Sequence, residues 1–164
     1  IGSSSTMPST SPDAPLATTM ALSAQNAEGS LCDWVFSGTL SRFEHLKIAF
    51  AESQIGWIPY FIERADDTWQ THQWAQGETR LPEPPSTYYR RNVYSCFFKD
   101  PVGVELLDRV GPDLVMFETD YPHQDGTWPR SREAAAEQFG HLSDELIHKI
   151  ARGNAQRLFG LESR

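Results

Sequence analysis

A short apolar run that ends in acids constrains this chain more than any other feature. Leu114 to Phe117 lead into Glu118, Thr119 and Asp120, and a Tyr121-Pro122-His123 turn follows. The pattern reads as a buried parallel strand that delivers a carboxylate at its carboxyl end. Parallel strands need crossover connections, usually helical, and in α/β proteins ligands bind where such strands end. Asp120 is therefore the first candidate for chemistry, although an Asp in this place also serves simply to cap a turn.

The rest of the chain supplies the partners such a strand needs. Leu46 to Glu52 alternates as a strand does, and Asn92 to Phe98 is rich in aromatic and β-branched residues. Gly2 to Pro15 reads as a loop rich in Ser, Thr and Pro, and Leu16 to Asn26 as weakly helical. A helix from about Ala27 to Thr39 places Leu31, Trp34, Val35 and Leu40 near one face. A second, from Gly56 to about Trp69, aligns Trp57, Ile58, Phe61, Ile62, Ala65 and Trp69, with Pro59 in its first turn. Gln76 to Pro85 reads as a loop. Asp100-Pro101 starts a helix with Val102, Leu106 and Val110 on one face and Gly111 as its stop. Ser131 to Phe139 is helical, Ser143 caps a helix that runs to about Arg152, and Asn154 to Phe159 adds a last turn or two. The order gives two consecutive βαβ units and a helical tail. Three parallel strands are too few to close a barrel and few for a free-standing sheet.

Composition removes several classes of function. The net charge of −8 argues against a nucleic-acid backbone or an anionic membrane as the main partner. No apolar run approaches the roughly 20 residues of a membrane span. Cys32 and Cys96 have no metal-binding spacing; a disulfide is open to them, and two buried thiols in a cytosolic protein is the plainer reading. HxH, HExxH, a strand-linked GxGxxG and GxSxG are all missing, and the third of these sets aside an open-sheet nucleotide-binding module. The chain starts at Ile1 without a signal peptide, and Ile1 reads as the tail of a strand whose beginning lies upstream.

Three strands thus bring polar groups toward one rim: Glu52 and Ser53, then Lys99 and Asp100, then Asp120 with His123 and Asp125. A carboxylate there can hold a divalent cation at about 2.0–2.2 Å or move a proton. Each also has a plainer role. Glu52 can pair with Arg64, Asp100 can cap its helix, His123 can hold the turn, and Asp125 can form the turn before Gly126. His45, His72, His141 and His148 have no ligand spacing.

Four runs in order, FSGTLSRFEHLKIAFAESQIGWIPYFIERAD from Phe36, FFKDPVGVELLDRVG from Phe97, ETDYPHQDGTWPRS from Glu118 and GNAQRLFGL from Gly153, carry a further signal. Together they resemble the amidohydrolase-related family, in the branch around aminocarboxymuconate-semialdehyde decarboxylase. The resemblance runs from about Trp34 to Leu161. It implies a metal-dependent (β/α)8 TIM barrel, of which residues 1–164 would be a single partial domain. That carboxyl-terminal portion would hold about three parallel strands with flanking helices. The family's last-strand Asp, a metal ligand, falls on Asp120. An HxH or ExH pair, and a His directly before Ile1, are expected upstream. The strand that carries the family's catalytic His ends here in Glu52, which could act as acid or base.

The resemblance implies a nonoxidative decarboxylase of a small carboxylated aromatic or unsaturated substrate. Asp120, Glu52 and His123 would be its catalytic set, and Zn or Mn its cofactor. Metal-dependent hydrolysis of C–N or C–C bonds is the alternative within the family. A non-catalytic partial barrel, lacking most metal ligands, is the alternative of another class. Family members often dimerise, and aromatics around Trp69, Trp74, Tyr88 and Tyr89 are the candidate interface. In the tail, Arg157 would pair with an acid while Leu158 and Phe159 pack inward.

Overall fold

The structure is a computed structural model, and it describes residues 11–161. The expectations for Ile1 and for residues 2–10 of the loop lie outside the described residues. No helix among them is long and apolar enough to cross a membrane. They form two compact units, one of residues 11–46 and 61–91, the other of residues 47–60 and 92–161.

The strands are β1 (Ile48–Phe50), β2 (Val93–Phe97) and β3 (Val115–Phe117). The α-helices are α1 (Leu16–Ala21), α2 (Ala24–Phe36), α3 (Thr39–Arg42), α4 (Ile58–Thr71), α5 (Pro85–Asn92), α6 (Pro101–Glu105), α7 (Leu107–Val110), α8 (Ser131–Phe139), α9 (Asp144–His148) and α10 (Asn154–Phe159). A π-helical turn, Lys149–Gly153, joins the last two.

The second unit holds the sheet, which is wholly parallel in the order β1-β2-β3. Val93 and Phe97 of β2 and Val115 of β3 are fully buried, as expected of strands covered on both faces. β1 is shorter than the Leu46–Glu52 strand expected from alternation: the chain turns at Ala51 and Glu52 adopts φ 53°. Phe97, Phe117 and Phe139 meet edge to face at 5.3–5.9 Å and seat α8 on one side of the sheet. Cys96 and Met116, paired in register, alternate to the other side, and Glu118, whose N donates to Phe97 O at 2.9 Å, continues that alternation.

The helix expected from Asp100 to Val110 exists as two pieces, α6 and α7, broken at Leu106. Its buried stripe is Gly103, Val104, Leu107 and Val110, and Val102 is exposed. Val102, Leu106 and Val110 share helical spacing too, so periodicity alone could not choose between two faces offset by about one residue. Close packing did: a Cβ at Gly103 would run into the Ile55 side chain.

In the tail, Ser143 caps α9 as expected, its Oγ accepting from Leu146 N. Fully buried Asn154 donates from Nδ2 to Pro112 O and to Val115 O, both at 2.7 Å, and so ties α10 to the start of β3. Arg157 donates to Asp113 O at 2.7 Å and lies 3.9 Å from its carboxylate, which meets the expectation of an acidic partner. Phe159, expected to pack inward, is exposed, because Gly160 ends the helix in the left-handed conformation there. Asn154→Leu should destabilise the chain by about 2–4 kcal/mol, since two buried carbonyls lose their donor. Urea unfolding at neutral pH measures this.

The first unit is helical. α2 begins and ends about three residues before the expected Ala27–Thr39, and Gly38 at φ 73° separates it from α3. α5 begins at Pro85, the last residue of the expected loop, where a missing N–H costs nothing, and it ends at Asn92, which was expected to open the next strand. Asp66 accepts from Ser86 N at 2.8 Å and satisfies one of its free amides. Tyr88 and Tyr89 are buried, which removes them from any exposed interface. Trp69 is half-buried and donates to Leu81 O, while Trp74 is exposed.

Candidate metal centre at the strand ends

Glu52 follows β1 by two residues, Asp120 follows β3 by three, and His123 lies in the next turn. One donor atom from each lies within 4.8 Å of the other two. His123 Nδ1 is 2.9 Å from Asp120 Oδ2. The Asp120 side chain is 8% exposed and that of His123 64%, so the carboxylate is sunk in the floor and the imidazole faces solvent.

Backbone strain marks the same place. Glu52 and Asp120 both adopt φ 53°, in the left-handed region, and Gln54 adopts φ 54°. That conformation costs about 1–2 kcal/mol for a residue with a Cβ, and such residues cluster at functional sites. At Asp120 a tight return of the chain maintains it. His123 N donates to Asp120 O at 2.8 Å and Thr127 N to Thr119 O at 3.0 Å. Gly126 passes so close that a Cβ there would lie 2.5 Å from Thr119 O and 2.8 Å from Asp120 O. This close approach is why a Gly follows Asp125.

Two carboxylates and an imidazole are a donor set suited to Zn or Mn. Ligand bonds of about 2.0–2.2 Å allow donors up to about 4.4 Å apart on one ion. The observed spacing fits with an adjustment of a few tenths of an ångström.

Two more acids build the floor. Glu118 Oε1 accepts from Glu52 N at 2.6 Å. Burial pushes the Glu118 carboxyl up to about 7, and the neighbouring Glu52 and Asp120 charges add to this, while the bond from Glu52 N opposes it. Burial, with Glu118 beside it, pushes the Cys96 thiol up to about 12. Asp100 caps α6 as expected, with Oδ1 accepting from Gly103 N at 2.8 Å. Its Oδ2 also accepts from Ile55 N and Gly56 N, both at 2.6 Å, and so anchors the turn behind Glu52.

The raised Glu118 carboxyl has a consequence for stability. The folded chain binds its proton more tightly than the unfolded chain, whose Glu titrates near 4.5. Stability of the metal-free chain should therefore fall as pH rises from about 4.5 to about 7, by about 1 kcal/mol once solvent screening of this half-buried group is allowed for. Glu118→Gln should flatten that slope, as urea midpoints across this pH range would record.

The remaining rim candidates have other partners. Lys99 donates from Nζ to Asp125 O at 2.7 Å and sits 3.6 Å from the Asp125 carboxylate, which pins the loop beyond His123. Arg64 pairs with Asp67, three residues along α4. Glu118 was not singled out in the sequence. Its signal was its place one residue past β3 and two before Asp120.

The chain is matched over residues 13–161 by a family model described as amidohydrolase. A solved 5-carboxyvanillate decarboxylase from Sphingomonas paucimobilis is 21% identical, with a TM-score of 0.71 over 94% of this chain and 44% of its own. A dihydroxybenzoic acid decarboxylase from Polaromonas sp. JS666, solved with bound manganese and the inhibitor 2-nitroresorcinol, is 20% identical, with a TM-score of 0.69 over 86% and 42%. An amidohydrolase from Mycobacterium avium subsp. paratuberculosis K-10 is 26% identical, with a TM-score of 0.73 over 88% and 36%. This chain therefore spans less than half the length of each. Its three parallel strands and flanking helices correspond to part of a TIM-barrel amidohydrolase fold. With nearly all of its described residues inside the family match, this chain belongs to the amidohydrolase family.

Proposed function

We propose that the protein to which this chain belongs is a divalent-metal-dependent nonoxidative decarboxylase of a small carboxylated aromatic or unsaturated acid. The observation that carries this reading is the convergence of Glu52, Asp120 and His123 donors at the carboxyl ends of parallel strands in an amidohydrolase chain. The decarboxylase neighbours supply the reaction class. In this reading residues 1–164 are one partial domain, and the remaining strands and metal ligands come from upstream sequence. Two free cysteines fit a cytoplasmic setting.

Asp120 and Glu52 would hold the ion, Zn or Mn, and His123 lies close enough to join them. A divalent ion bound there supplies positive charge that orients a substrate carboxylate. Asp120 and His123, 2.9 Å apart, form a pair that can hold a proton and pass it on. The substrate's bond to its carboxylate carbon breaks, and carbon dioxide leaves. The electron pair stays on the ring or vinyl carbon, and the proton closes that valence. Glu52 faces the same space as a second acid or base.

The test is carbon dioxide release from hydroxylated benzoic acids and unsaturated acids by the metal-loaded intact protein in deuterated water. One carbon dioxide per turnover, with one solvent deuteron on the product carbon, is the expected result. Cleaved acids without carbon dioxide would assign a hydrolase, and no turnover of either kind would leave the strand-end acids without a catalytic role.

A further inference from the structure

The geometry points to Glu118 as a positioning residue that holds Glu52 in place by bridging two strands that are not neighbours. β1 and β3 are separated by β2, so in a flat sheet their ends would stand about 9.5 Å apart. Glu118 Oε1 nonetheless lies 2.6 Å from Glu52 N, 66 residues earlier in the chain. The side chain thus acts as a strut at the carboxyl end of β2, where Glu118 N also donates to Phe97 O, and ties the two outer strand ends together.

That contact fixes more than distance. Capturing the Glu52 N–H orients the peptide plane just before its left-handed Cα, where φ is 53°. The direction of Cα–Cβ follows from that plane, and the Glu52 carboxylate is thereby aimed toward Asp120 and His123. Three and four residues past Glu52, Asp100 takes over and captures Ile55 N and Gly56 N. Glu118 is not in the donor cluster itself, so its effect passes through Glu52. Glu118 and Asp120 both follow β3 directly, so one strand end supplies both the strut and a donor. The bond needs only an acceptor oxygen, which an amide side chain also provides.

The inference rests on the metal reading for one of its two measurements, and the other stands apart from it. In the intact protein, Mn(II) affinity is measured by electron paramagnetic resonance, and exchange of the Glu52 amide by hydrogen–deuterium mass spectrometry. Glu118→Ala should lose about 10- to 100-fold in Mn(II) affinity, as loss of an outer support typically does. Its Glu52 amide should exchange at least about tenfold faster, while amides of β2 keep their protection. Glu118→Gln should stay within about threefold of wild type in both measurements, because its carbonyl oxygen accepts the same bond. Wild-type behaviour of Glu118→Ala in both measurements would overturn the strut. So would equal losses in Glu118→Gln and Glu118→Ala, since charge or direct ligation would then be at work. If the wild-type protein binds no Mn(II), the metal reading fails, and Glu52 exchange alone decides for or against the strut.

Discussion

Asp120→Asn should leave the fold intact and reduce metal-dependent decarboxylation by at least about 10³-fold, equivalent to roughly 4 kcal/mol of barrier. In the proposed reading the substitution would remove a charge that holds the ion and the group that carries the proton, yet it keeps the shape. Asn is also among the few residues that accept the left-handed backbone found at this position, where φ is 53°. Asp120→Gly goes further: it relieves the strain and loses the donor, so thermal stability should rise slightly while activity disappears. A variant that is more stable and inactive is the mark of a residue kept for chemistry at a cost in stability. Steady-state kinetics beside thermal melts of both variants gives the answer.

Asp100→Ala should be the most destabilising single change at the rim, by about 3–5 kcal/mol. Three backbone amides, of Ile55, Gly56 and Gly103, would lose a charged acceptor at once. Water cannot replace it fully, because Ile55 and Gly103 are buried. Asp100→Asn keeps one acceptor oxygen and should lose roughly half as much. Urea unfolding of the two variants measures the difference. The loss should spread to the site, since the same carboxylate anchors the turn behind Glu52.

Much of this is legible in the sequence alone, and the reason differs by element. β2 and β3 announce themselves because strands buried on both faces must be apolar throughout, and Val93 to Phe98 and Leu114 to Phe117 largely are. Glu52, Asp120 and His123 were legible because parallel strands place their carboxyl ends on one rim, so residues far apart in sequence share a site. Helix starts at Asp100-Pro101 and Ser143 were legible because capping is local. What stayed hidden depends on distant partners. Nothing near Glu118 shows that it meets Glu52, nor near Asp100 that it also serves Ile55 and Gly56. The face of α6 and α7 was decided by Ile55 pressing on Gly103, and the burial of Tyr88 and Tyr89 by the packing of α5. Periodicity reports that a face exists, and packing chooses which.

The central claim is that the strand-end acids form a divalent-metal centre. Anomalous diffraction at the manganese edge, from crystals of the intact protein grown with Mn(II), tests it directly. The expected result is a full-occupancy peak about 2.0–2.2 Å from an Asp120 carboxylate oxygen, with Glu52 or His123 also bound to it. A fully occupied manganese site that leaves Asp120 uncoordinated would contradict the account.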